Sequence, residues 1–395
     1  MVIRRNMKIT FDAKELIAAS EWVIKVAPNG AILMKVLENS TVIFRAEGNA
    51  GMRSITLNAH IDDMDGKNSY DFSAPHLDKM ISALIKKHAD GQVSFEFRPH
   101  AEEAMVSYGT LKFPVALLFG SGVLPSDSEI FSPIGTADYG DLMEYLRSAN
   151  KLTGKQQNAE SMIDLTFDAA DSTISIMGTD KVVLGVFYLS FIPDDEYKSG
   201  KPSRFLVVPD LNNLKTDADM VSISESPESM KLGFGGGKIA TIRKQEASMF
   251  PWGRLLKNVK SKSAREDEAS IMVNVRDVIT SSDIAISLIS QAGSSIASKI
   301  IVMNVCDGKI PLRSEEDNSP VDSISTDYRG DEKTIRFNYD ELKTALSALS
   351  SENVYLKYAN DDVPVIVEQI SQDGEIDNSV FMLINTPMNN HKKPR

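Results

Sequence analysis

The sequence predicts an α+β protein made of three tandem copies of one domain. Two distant stretches open alike, because "STVIFRAEGNAGMRSITL" begins at Ser40 and "STISIMGTDKVVLGVFYL" begins at Ser172, 132 positions later. Each reads as a hairpin of two strands with alternating apolar residues. Three later helix-to-strand segments carry the apolar anchors Leu77, Leu211 and Leu342, which are 134 and 131 positions apart. A chain of 395 residues is also too long for one ordinary core.

Each copy is predicted to run strand, helix, strands, helix, strands. Its first helix is amphipathic and has Asp, Thr or Asn near its start, as in "DAKELIAASEWVIKVAP", "TADYGDLMEYLRSANKL" and "NVRDVITSSDIAISLIS". The predicted domains are residues 1–131, 132–263 and 264–395. The segment 119–135 is rich in Gly, Ser and Pro, and 256–270 is polar and charged, so both are predicted as connectors. Residues 313–333 are predicted as an exposed loop.

Composition restricts the class of protein. Hydrophobic residues make up 42% and charged residues 25%, as in globular proteins. The single cysteine, Cys306, excludes an intramolecular disulfide and fits a reducing cytoplasm. No apolar run approaches the roughly 20 residues that cross a bilayer, and the N-terminus lacks the apolar core of a secretory signal. The expectation is a cytoplasmic protein without a membrane partner.

The formal net charge of −12 argues against a protein that coats nucleic acid with its whole surface. Any contact with nucleic acid would have to use a local basic patch, so basic residues on helices are of interest.

Motifs for catalysis are weak. "GFGGGKIA" (233–240) ends its glycine run in Gly-Lys, but Leu232 and Ile239 stand where a phosphate-binding loop needs Gly and Ser or Thr. "HIDDMDG" (60–66) clusters acidic residues that suggest a metal, although a solvated turn is the favoured interpretation. The sequence therefore predicts no enzyme, no cofactor and no metal.

Four segments resemble, in the same order, segments of the bacterial-type DNA sliding clamp, the beta subunit of the replicative polymerase. The resemblance covers nearly the whole chain and fits a bacterial or a bacteriophage version of that protein. "TDKVVLGV" (179–186) resembles a Thr-Asp-Gly-His-Arg-Leu-like hairpin turn of that family, and "MFPWGRLL" (249–256) its Phe-Pro-x-x-Arg-x-Leu segment. "FNYDELKTALSAL" with "ENVYLKYANDDVPVIVE" (337–368) resembles its third-domain helix and strands, and "FMLINTPM" (381–388) its terminal strand.

The resemblance implies three DNA-clamp domains, each with two helices packed on antiparallel sheet, in a head-to-tail homodimeric ring. Such a ring encircles duplex DNA non-specifically, performs no chemistry and tethers the polymerase and other partners, such as the clamp loader, near the nucleoid. The expected DNA-facing residues of the bore are Lys14, Lys25, Lys79, Lys86, Lys87, Arg147, Lys151, Lys155, Gln156, Arg276 and Lys343. Arg147, Lys151 and Lys155 follow one another at four-residue spacing and are expected on one helix face.

The resemblance also implies a groove for short partner peptides, lined by Met162, Thr179, Leu184, Pro251, Leu256, Ile384, Pro387 and Met388. The ring is expected to close through Phe113 and Val115 of one subunit and Leu288 and Ile289 of the other. The chain departs from the family where Lys181, Val182 and Val183 replace Gly-His-Arg and Leu255 replaces an arginine. Because two arginines are replaced, a weaker preference for acidic peptide flanks is expected.

Two alternatives remain open from the sequence. One is a scaffold of the same fold that binds proteins but does not encircle DNA. The other is a metal-dependent hydrolase that uses His60, Asp62, Asp63 and Asp65.

Overall fold

The computed structural model of the protein describes residues 7–37, 40–48, 51–62, 69–98, 102–118, 129–153, 162–180, 182–197, 202–207, 214, 216–245, 251–263, 268–291, 299–316, 320–370 and 375–384. These residues contain six helices and 25 strands, and the strand pairings described below are antiparallel. No helix in this part of the chain is long and apolar enough to cross a membrane.

The first third of the chain contains nine strands and two helices, in the order β1 (Met7–Asp12), α1 (Ala13–Ile24), β2 (Ala31–Val36), β3 (Thr41–Gly48), β4 (Gly51–Asn58), β5 (His60–Asp62), β6 (Ser69–Ser73), α2 (Ala74–Lys86), β7 (Gln92–Phe97), β8 (Glu103–Tyr108) and β9 (Leu111–Leu118).

The middle third repeats the start of this order, with β10 (Ser132–Asp138), α3 (Tyr139–Lys151), β11 (Ile163–Asp168), β12 (Thr173–Thr179), β13 (Val183–Pro193), β14 (Ser203–Val207), β15 (Met220–Glu225), β16 (Ser229–Gly233), β17 (Lys238–Gln245) and α4 (Trp252–Ser263). The last third contains β18 (Ala269–Asn274), α5 (Val275–Gln291), β19 (Ile300–Val305), β20 (Lys309–Ser314), β21 (Asp322–Ser325), β22 (Lys333–Asn338), α6 (Tyr339–Ser347), β23 (Asn353–Tyr358), β24 (Val365–Ile370) and β25 (Ile376–Ile384).

Side-chain caps explain where several helices begin. The Asp12 carboxylate accepts hydrogen bonds from the backbone N–H groups of Lys14 and Glu15 at 2.9 and 3.1 Å, so α1 has the predicted cap. Asn274 caps α5 in the same way by accepting from Asp277 N–H at 3.2 Å. The middle helix begins later than expected, since Thr136 lies inside β10 and α3 begins at Tyr139, directly after Asp138.

The chain divides into two compact units. The first comprises Met1–Gly140, Phe191–Gly200 and Val208–Lys244. One run of paired strands is β9-β6-β2-β3-β4-β17-β16-β15-β10-β13, which ends in the last three residues of β13. Strand β17 of the middle copy thus extends the sheet of the first copy through β4. The core between α1, α2 and the strands contains Phe11, Phe44, Phe72, Phe95 and Phe97, all almost fully buried.

The second unit comprises Asp141–Ser190, Lys201–Val207 and Gln245–Arg395. One sheet has the order β14-β11-β12-β13-β25-β24-β23-β18, so β13 of the middle copy pairs with β25 of the last copy. A separate four-stranded sheet has the order β21-β20-β19-β22. Each unit therefore joins strands of two successive copies.

Both hairpins that prompted the repeat prediction are confirmed. Strands β3 and β4 pair from Thr41 and Asn58 to Gly48 and Gly51. Strands β12 and β13 pair from Thr173 and Ser190 to Thr179 and Leu184.

Two predicted connecting segments contain regular structure. Residues 313–333 are mostly exposed, as expected, but they include the short strand β21, which pairs with β20 and buries Ile324. The segment 256–270, expected to separate the second copy from the third, begins within α4, because Leu256 and Val259 give that helix a buried side. The exact boundaries of the three predicted domains stay predictions, and Leu211 lies outside the described residues.

We expect Gly178→Ala to lower the free energy of unfolding by about 1 to 3 kcal/mol, the range for overpacking a core. Gly178 lies in β12 against α3, and a Cβ there would stand 2.1 Å from the carbonyl oxygen of Ala149. The matched control is Gly253→Ala in α4, where a Cβ meets nothing within 4 Å. In that variant the free energy of unfolding should rise by about 0.5 to 1 kcal/mol, because alanine has a higher helix propensity than glycine. Urea denaturation followed by circular dichroism measures both, and equal midpoints for the two variants would contradict the close packing at Gly178.

Candidate functional site

One face of the sheet in the second unit carries the candidate site. The strand register aligns Asp164 of β11 with Met177 of β12, and Met177 with Val186 of β13. Paired residues on neighbouring strands point to the same face, so these three side chains share one side of the sheet. Leu184 of β13 and Leu383 of β25 are also paired and therefore lie on that side.

An apolar cluster forms between this face and helix α4. Its eight buried members are Met177, Leu184, Val186, Leu256, Val259, Val363, Ile366 and Leu383. Helix α4 contributes Leu256 and Val259, which are three residues apart and so lie on one side of the helix. The cluster thus contains side chains from the middle copy, from the last copy and from the helix between them.

Three large side chains at the border of the cluster remain partly accessible. Tyr188, Trp252 and Leu255 pack against the buried members but are only half-buried themselves. Burial raises the pKa of the Tyr188 hydroxyl. Sequence reasoning did not select Tyr188 or Trp252, although Tyr188 continues the alternation of Leu184 and Val186 along β13. The departure at Leu255 adds apolar surface to the site where the family has a charge.

An ion pair lies beside the cluster on the same sheet face. The carboxylate of Asp164 is buried, and Arg204 of β14 donates to both of its oxygens, with Nε at 3.0 and 3.1 Å. Burial raises the pKa of Asp164, and the Arg204 guanidinium partly opposes that shift. The indole of Trp252 also lowers the pKa of Asp164, although its Nε1 has no partner with full hydrogen-bonding geometry among the described residues.

A second ion pair lies on the same sheet face, at the opposite flank of the cluster, on β23 and β24. Lys357 Nζ and Glu368 Oε2 are 2.8 Å apart, and both side chains are mostly buried. Glu268 lies nearby, and its pKa is raised by burial and by the charge of Glu368, while Lys357 lowers it. The apolar cluster therefore has a buried ion pair on either side.

The β12–β13 turn fixes the Thr-Asp pair that the sequence singled out. Asp180 Oδ1 accepts the backbone N–H groups of Val182 and Val183 at 3.0 and 2.8 Å, which forms an Asx turn. The Thr179 hydroxyl donates to the carbonyl oxygen of Val183 at 2.7 Å, and its side chain is 3% exposed. Thr179 therefore stabilises the hairpin, and its hydroxyl is bonded inside the turn although the residue was expected to line the groove.

The expected groove residues do not all meet in this place. Leu184 and Leu256 belong to the cluster but are 4% and 8% exposed, so the border side chains provide the accessible surface. Ile384 follows Leu383 on β25, so its buried side chain points to the opposite face of the sheet. Pro251 is exposed immediately before α4, and Met162 is half-buried immediately before β11. Pro387 and Met388 lie outside the described residues, as does Lys181.

Six of the expected DNA-facing side chains are exposed, and no ion pair or side-chain hydrogen bond is described for them. They are Lys25, Lys79, Lys86, Lys87, Arg147 and Arg276. In the first unit Lys79 and Lys86 lie on α2, which packs beside α1, and Lys87 directly follows this helix. In the second unit Arg147 lies on α3 and Arg276 on α5.

Three other expected cations are engaged within the protein. Lys343 of α6 contacts Asp283 of α5 at 2.8 Å and the Tyr339 hydroxyl at 3.0 Å. The Asp283 carboxylate raises the pKa of Lys343, and Lys343 lowers that of Asp283. Lys14 lies 3.3 Å from Asp90. The charge of Lys343 is therefore balanced by Asp283, and its expected place in the bore stays a prediction.

Lys151 has a structural role at the end of a helix. Its Nζ donates to the carbonyl oxygen of Ser347, the last residue of α6, at 2.9 Å. A cation there is favourable because the helix C-terminus carries partial negative charge. Helix α3 ends at Lys151, so the expected row of three cations on one helix face stays a prediction. Lys155 and Gln156 lie outside the described residues.

The residues expected in the subunit interface differ in exposure. Leu288 on α5 is 48% exposed, and Phe113 on β9 is half-buried. Val115 is fully buried, so its side chain belongs to the core of the first unit and is unable to contact a second subunit as expected. Ile289 lies in α5, but its side chain is outside the described part.

The acidic segment considered for a metal gives one ion pair in the described part of the chain. His60 Nε2 lies 3.0 Å from Asp62 Oδ1, and both side chains are exposed. Asp63 and Asp65 fall in the undescribed stretch 63–68. Within the described ranges, no three His, Cys, Asp or Glu side chains are grouped as metal ligands.

Solved structures with the same fold are sliding clamps. The DNA polymerase sliding clamp of Caulobacter crescentus is 17% identical, with a TM-score of 0.75 over 97% of this chain and 100% of that one. The griselimycin-bound DNA polymerase III beta subunit of Pseudomonas aeruginosa is 13% identical, with a TM-score of 0.78 over 97% and 100%. The beta subunit of Thermotoga maritima is 14% identical, with a TM-score of 0.73 over 97% and 99%. No protein-family model and no curated protein sequence matches the chain.

These likenesses show that the chain has the sliding-clamp fold. The predicted α+β class and the resemblance on which it drew are confirmed at the level of the fold.

We expect Arg204→Met to destabilise the protein by about 3 kcal/mol at pH 8, near the lower end for breaking a buried pair because Arg204 is one-third exposed. Without Arg204, the pKa of Asp164 in the folded state should rise further above its unfolded value. The folded variant then binds a proton on Asp164 more readily than its unfolded chain does. The loss of stability should therefore shrink as the pH falls towards the pKa of Asp164 and grow as the pH rises.

Urea denaturation at pH 5 and pH 8 measures this difference. The control is Arg276→Met, which removes an exposed arginine from α5 and should change stability little at either pH. A loss for Arg204→Met that is equal at both pH values, or larger at pH 5, would contradict this account of Asp164.

Proposed function

We propose that this protein is a DNA sliding clamp, a processivity factor that encircles duplex DNA as a homodimeric ring and tethers a DNA polymerase. The observation that carries the proposal is the sliding-clamp fold over nearly the whole chain, together with an apolar cluster that has an accessible border. The clamp loader and other partners would use the same border. Such a protein works in the cytoplasm, on the nucleoid.

The proposed contact with DNA is electrostatic. Exposed lysines and arginines on α2, α3 and α5 would attract phosphates without reading bases, which allows the ring to slide. The net charge of −12 keeps the remaining surface from binding DNA. The proposal assigns the protein no chemical step, because topology and tethering suffice for processivity.

The proposed contact with partners is a short peptide docked against Tyr188, Trp252 and Leu255. In solved structures, the Pseudomonas aeruginosa clamp binds griselimycin. Each large apolar side chain that a peptide buries there would contribute roughly 1.5 to 3 kcal/mol before ordering costs. Two such side chains give a micromolar affinity at best, as expected for a partner that must also be released.

Closure of the ring would use the outer edge of β9. On one side β9 pairs with β8 along its length, whereas on the other side Leu117 and Leu118 are its only residues paired in the described part. An exposed strand edge invites pairing with another chain. Phe113 on β9 of one subunit and Leu288 on α5 of the other would meet there head to tail, and two such contacts related by a two-fold axis would close the dimer.

A scaffold that binds proteins without encircling DNA is the second candidate. It is favoured by the balanced charges of Lys343 and Lys14 and by the capping role of Lys151, which leave fewer cations for phosphates than the sequence suggests. An assay of DNA-dependent processivity separates the two functions, since only an encircling ring extends synthesis on a closed template.

We expect Leu288→Lys to convert the dimer into monomers, because the substitution would place a charge in an interface that excludes water. Light scattering should then report 43.4 kDa instead of twice that mass. The control is Ile376→Lys on β25, at a residue of similar exposure (41% against 48%) that is not in the proposed interface. A dimer that survives Leu288→Lys, or that also dissociates with Ile376→Lys, would count against this interface.

We expect Lys86→Glu combined with Arg147→Glu to reduce DNA-dependent stimulation of the polymerase, because both cations are exposed and no ion pair is described for them. The difference in stimulation between the wild-type protein and the variant should be largest at low salt. It should shrink as salt rises, because salt weakens the wild-type contacts with phosphates. Primer extension on circular template, at several salt concentrations, measures the effect.

The matched control is Lys8→Glu with Lys309→Glu, which alters the net charge equally at two exposed lysines on strands. Stimulation that drops equally in both double variants would mean that net charge, rather than these helix positions, governs DNA binding.

A further inference from the structure

The first strand of the last copy is paired differently from the first strands of the other two copies. In the first copy β1 pairs with β7 on one side and with β5 on the other. In the middle copy β10 pairs with β15 and with the end of β13. In the last copy β18 pairs with β23, and no second strand is paired with it in the described part of the chain. One edge of β18 is therefore left to other partners.

Side chains cover one end of this edge. The Thr326 hydroxyl donates to the carbonyl oxygen of Met272 at 2.8 Å, and Asp327 Oδ1 accepts the Met272 N–H at 3.3 Å. Both backbone groups of Met272 thus point away from β23. Because the backbone groups of alternate residues in a strand point to the same side, the N–H and C=O of Ser270 face this edge as well. No hydrogen bond to these two groups of Ser270 is found among the described residues.

A cleft of about 710 Å³ lies along the open part of the edge. Its volume is within the range of ligand-binding pockets. One wall consists of residues 268–270 at the start of β18, and the other belongs to the segment between β21 and β22. The lining residues are Glu268, Ala269, Ser270, Asp327, Tyr328, Arg329, Asp331 and Lys333.

The wall opposite β18 is held in place by the turn between β19 and β20. The N–H of Thr326 donates to the carbonyl oxygen of Gly308 at 3.2 Å, and the Gly308 N–H donates to that of Tyr328 at 3.1 Å. Arg329 Nε also lies 3.4 Å from the carboxylate of Asp307. The wall is therefore fixed at a distance from β18. A ligand would enter a cleft that is already formed, which lowers the cost of ordering it.

The lining carries more negative than positive charge. Three carboxylates, those of Glu268, Asp327 and Asp331, face two cations, and one of these, Arg329, is already paired with Asp307. Glu268 is half-buried, so its charge acts through a medium of lower dielectric than water. A ligand with a basic group is therefore favoured over an anionic one.

We infer that this cleft binds an extended peptide segment of a partner protein, which adds a strand to the edge of β18 and places a lysine or arginine side chain near Glu268. The N–H and C=O of Ser270 would exchange hydrogen bonds with one residue of the peptide. Nucleic acid fits less well, because the lining would repel its phosphates. The inference goes beyond the proposed function, since it uses neither the apolar cluster nor the ring.

The test uses the full-length protein and three fluorescent, capped heptapeptides. The lysine peptide is Thr-Val-Thr-Lys-Thr-Val-Thr, the glutamate peptide has Glu in place of Lys, and the methylated peptide is the lysine peptide with an N-methyl group on every backbone amide. Fluorescence anisotropy gives the dissociation constants. The lysine peptide should bind about five- to tenfold more tightly than the glutamate peptide at low salt. The methylated peptide should bind at least about tenfold more weakly than the lysine peptide, because it lacks backbone donors.

Ser270→Pro tests the edge directly. Proline removes the N–H of residue 270 and covers the edge with its ring, and a proline is tolerated where the N–H is not used for pairing. This variant should bind the lysine peptide at least about tenfold more weakly than wild type does. The matched control, Ser270→Thr, keeps both backbone groups and should bind as wild type does. Urea denaturation checks that both variants are folded, and the methylated peptide decides on the wild-type protein if Ser270→Pro is not.

Glu268→Gln tests the charge. The preference for the lysine peptide over the glutamate peptide should fall at least about threefold in this variant. The matched control is Glu332→Gln, which removes a carboxylate that is exposed and does not line the cleft, and it should keep the preference. In the wild-type protein the preference should approach one at high salt, because exposed charges are screened.

Hydrogen exchange locates the bound peptide. The lysine peptide should slow exchange of the Ser270 amide, and protection of α4 instead would overturn the inference. It is also overturned if the methylated peptide binds as tightly as the lysine peptide, if folded Ser270→Pro binds like wild type, or if Glu268→Gln keeps the full preference. Slow exchange of the Ser270 amide in the free protein would mean that the chain itself fills the cleft. A lower mass of Ser270→Pro in light scattering would mean that a second copy does, and either result overturns the inference.

Discussion

Backbone hydrogen bonds between strands of successive copies are the interaction on which the rest of the structure depends. Strand β17 pairs with β4 in the first unit, and β25 pairs with β13 in the second. A strand edge without a partner leaves N–H and C=O groups unpaired, and each of these pairings satisfies such an edge. The pairing of β13 with β25 also fixes a register, which places Leu184 beside Leu383. A slip by one residue would turn Leu383 to the other face, so the apolar cluster exists only in this register.

Periodicity predicted most of the secondary structure, because local residues determine it. Alternation identified both hairpins, and Asp12 and Asn274 marked the starts of α1 and α5. Strand β21 was missed because it has only four residues and is mostly polar. Its pairing with β20 is what makes this segment a strand. Helix α4 was partly missed for a related reason. Its sequence is mostly polar, and the burial of Leu256 and Val259 depends on a sheet face assembled from distant strands.

The candidate site was predicted in part, since alternation does not say which face of a sheet a helix will cover. Leu184 and Leu256 lie in one cluster, whereas Ile384 lies on the reverse face and Thr179 uses its hydroxyl inside the hairpin. Charges were harder to predict. Lys86 and Lys343 look alike in the sequence, yet Lys343 is neutralised by Asp283, 60 residues earlier in the chain. Pairing of this kind depends on how α5 packs beside α6, which composition and spacing do not contain.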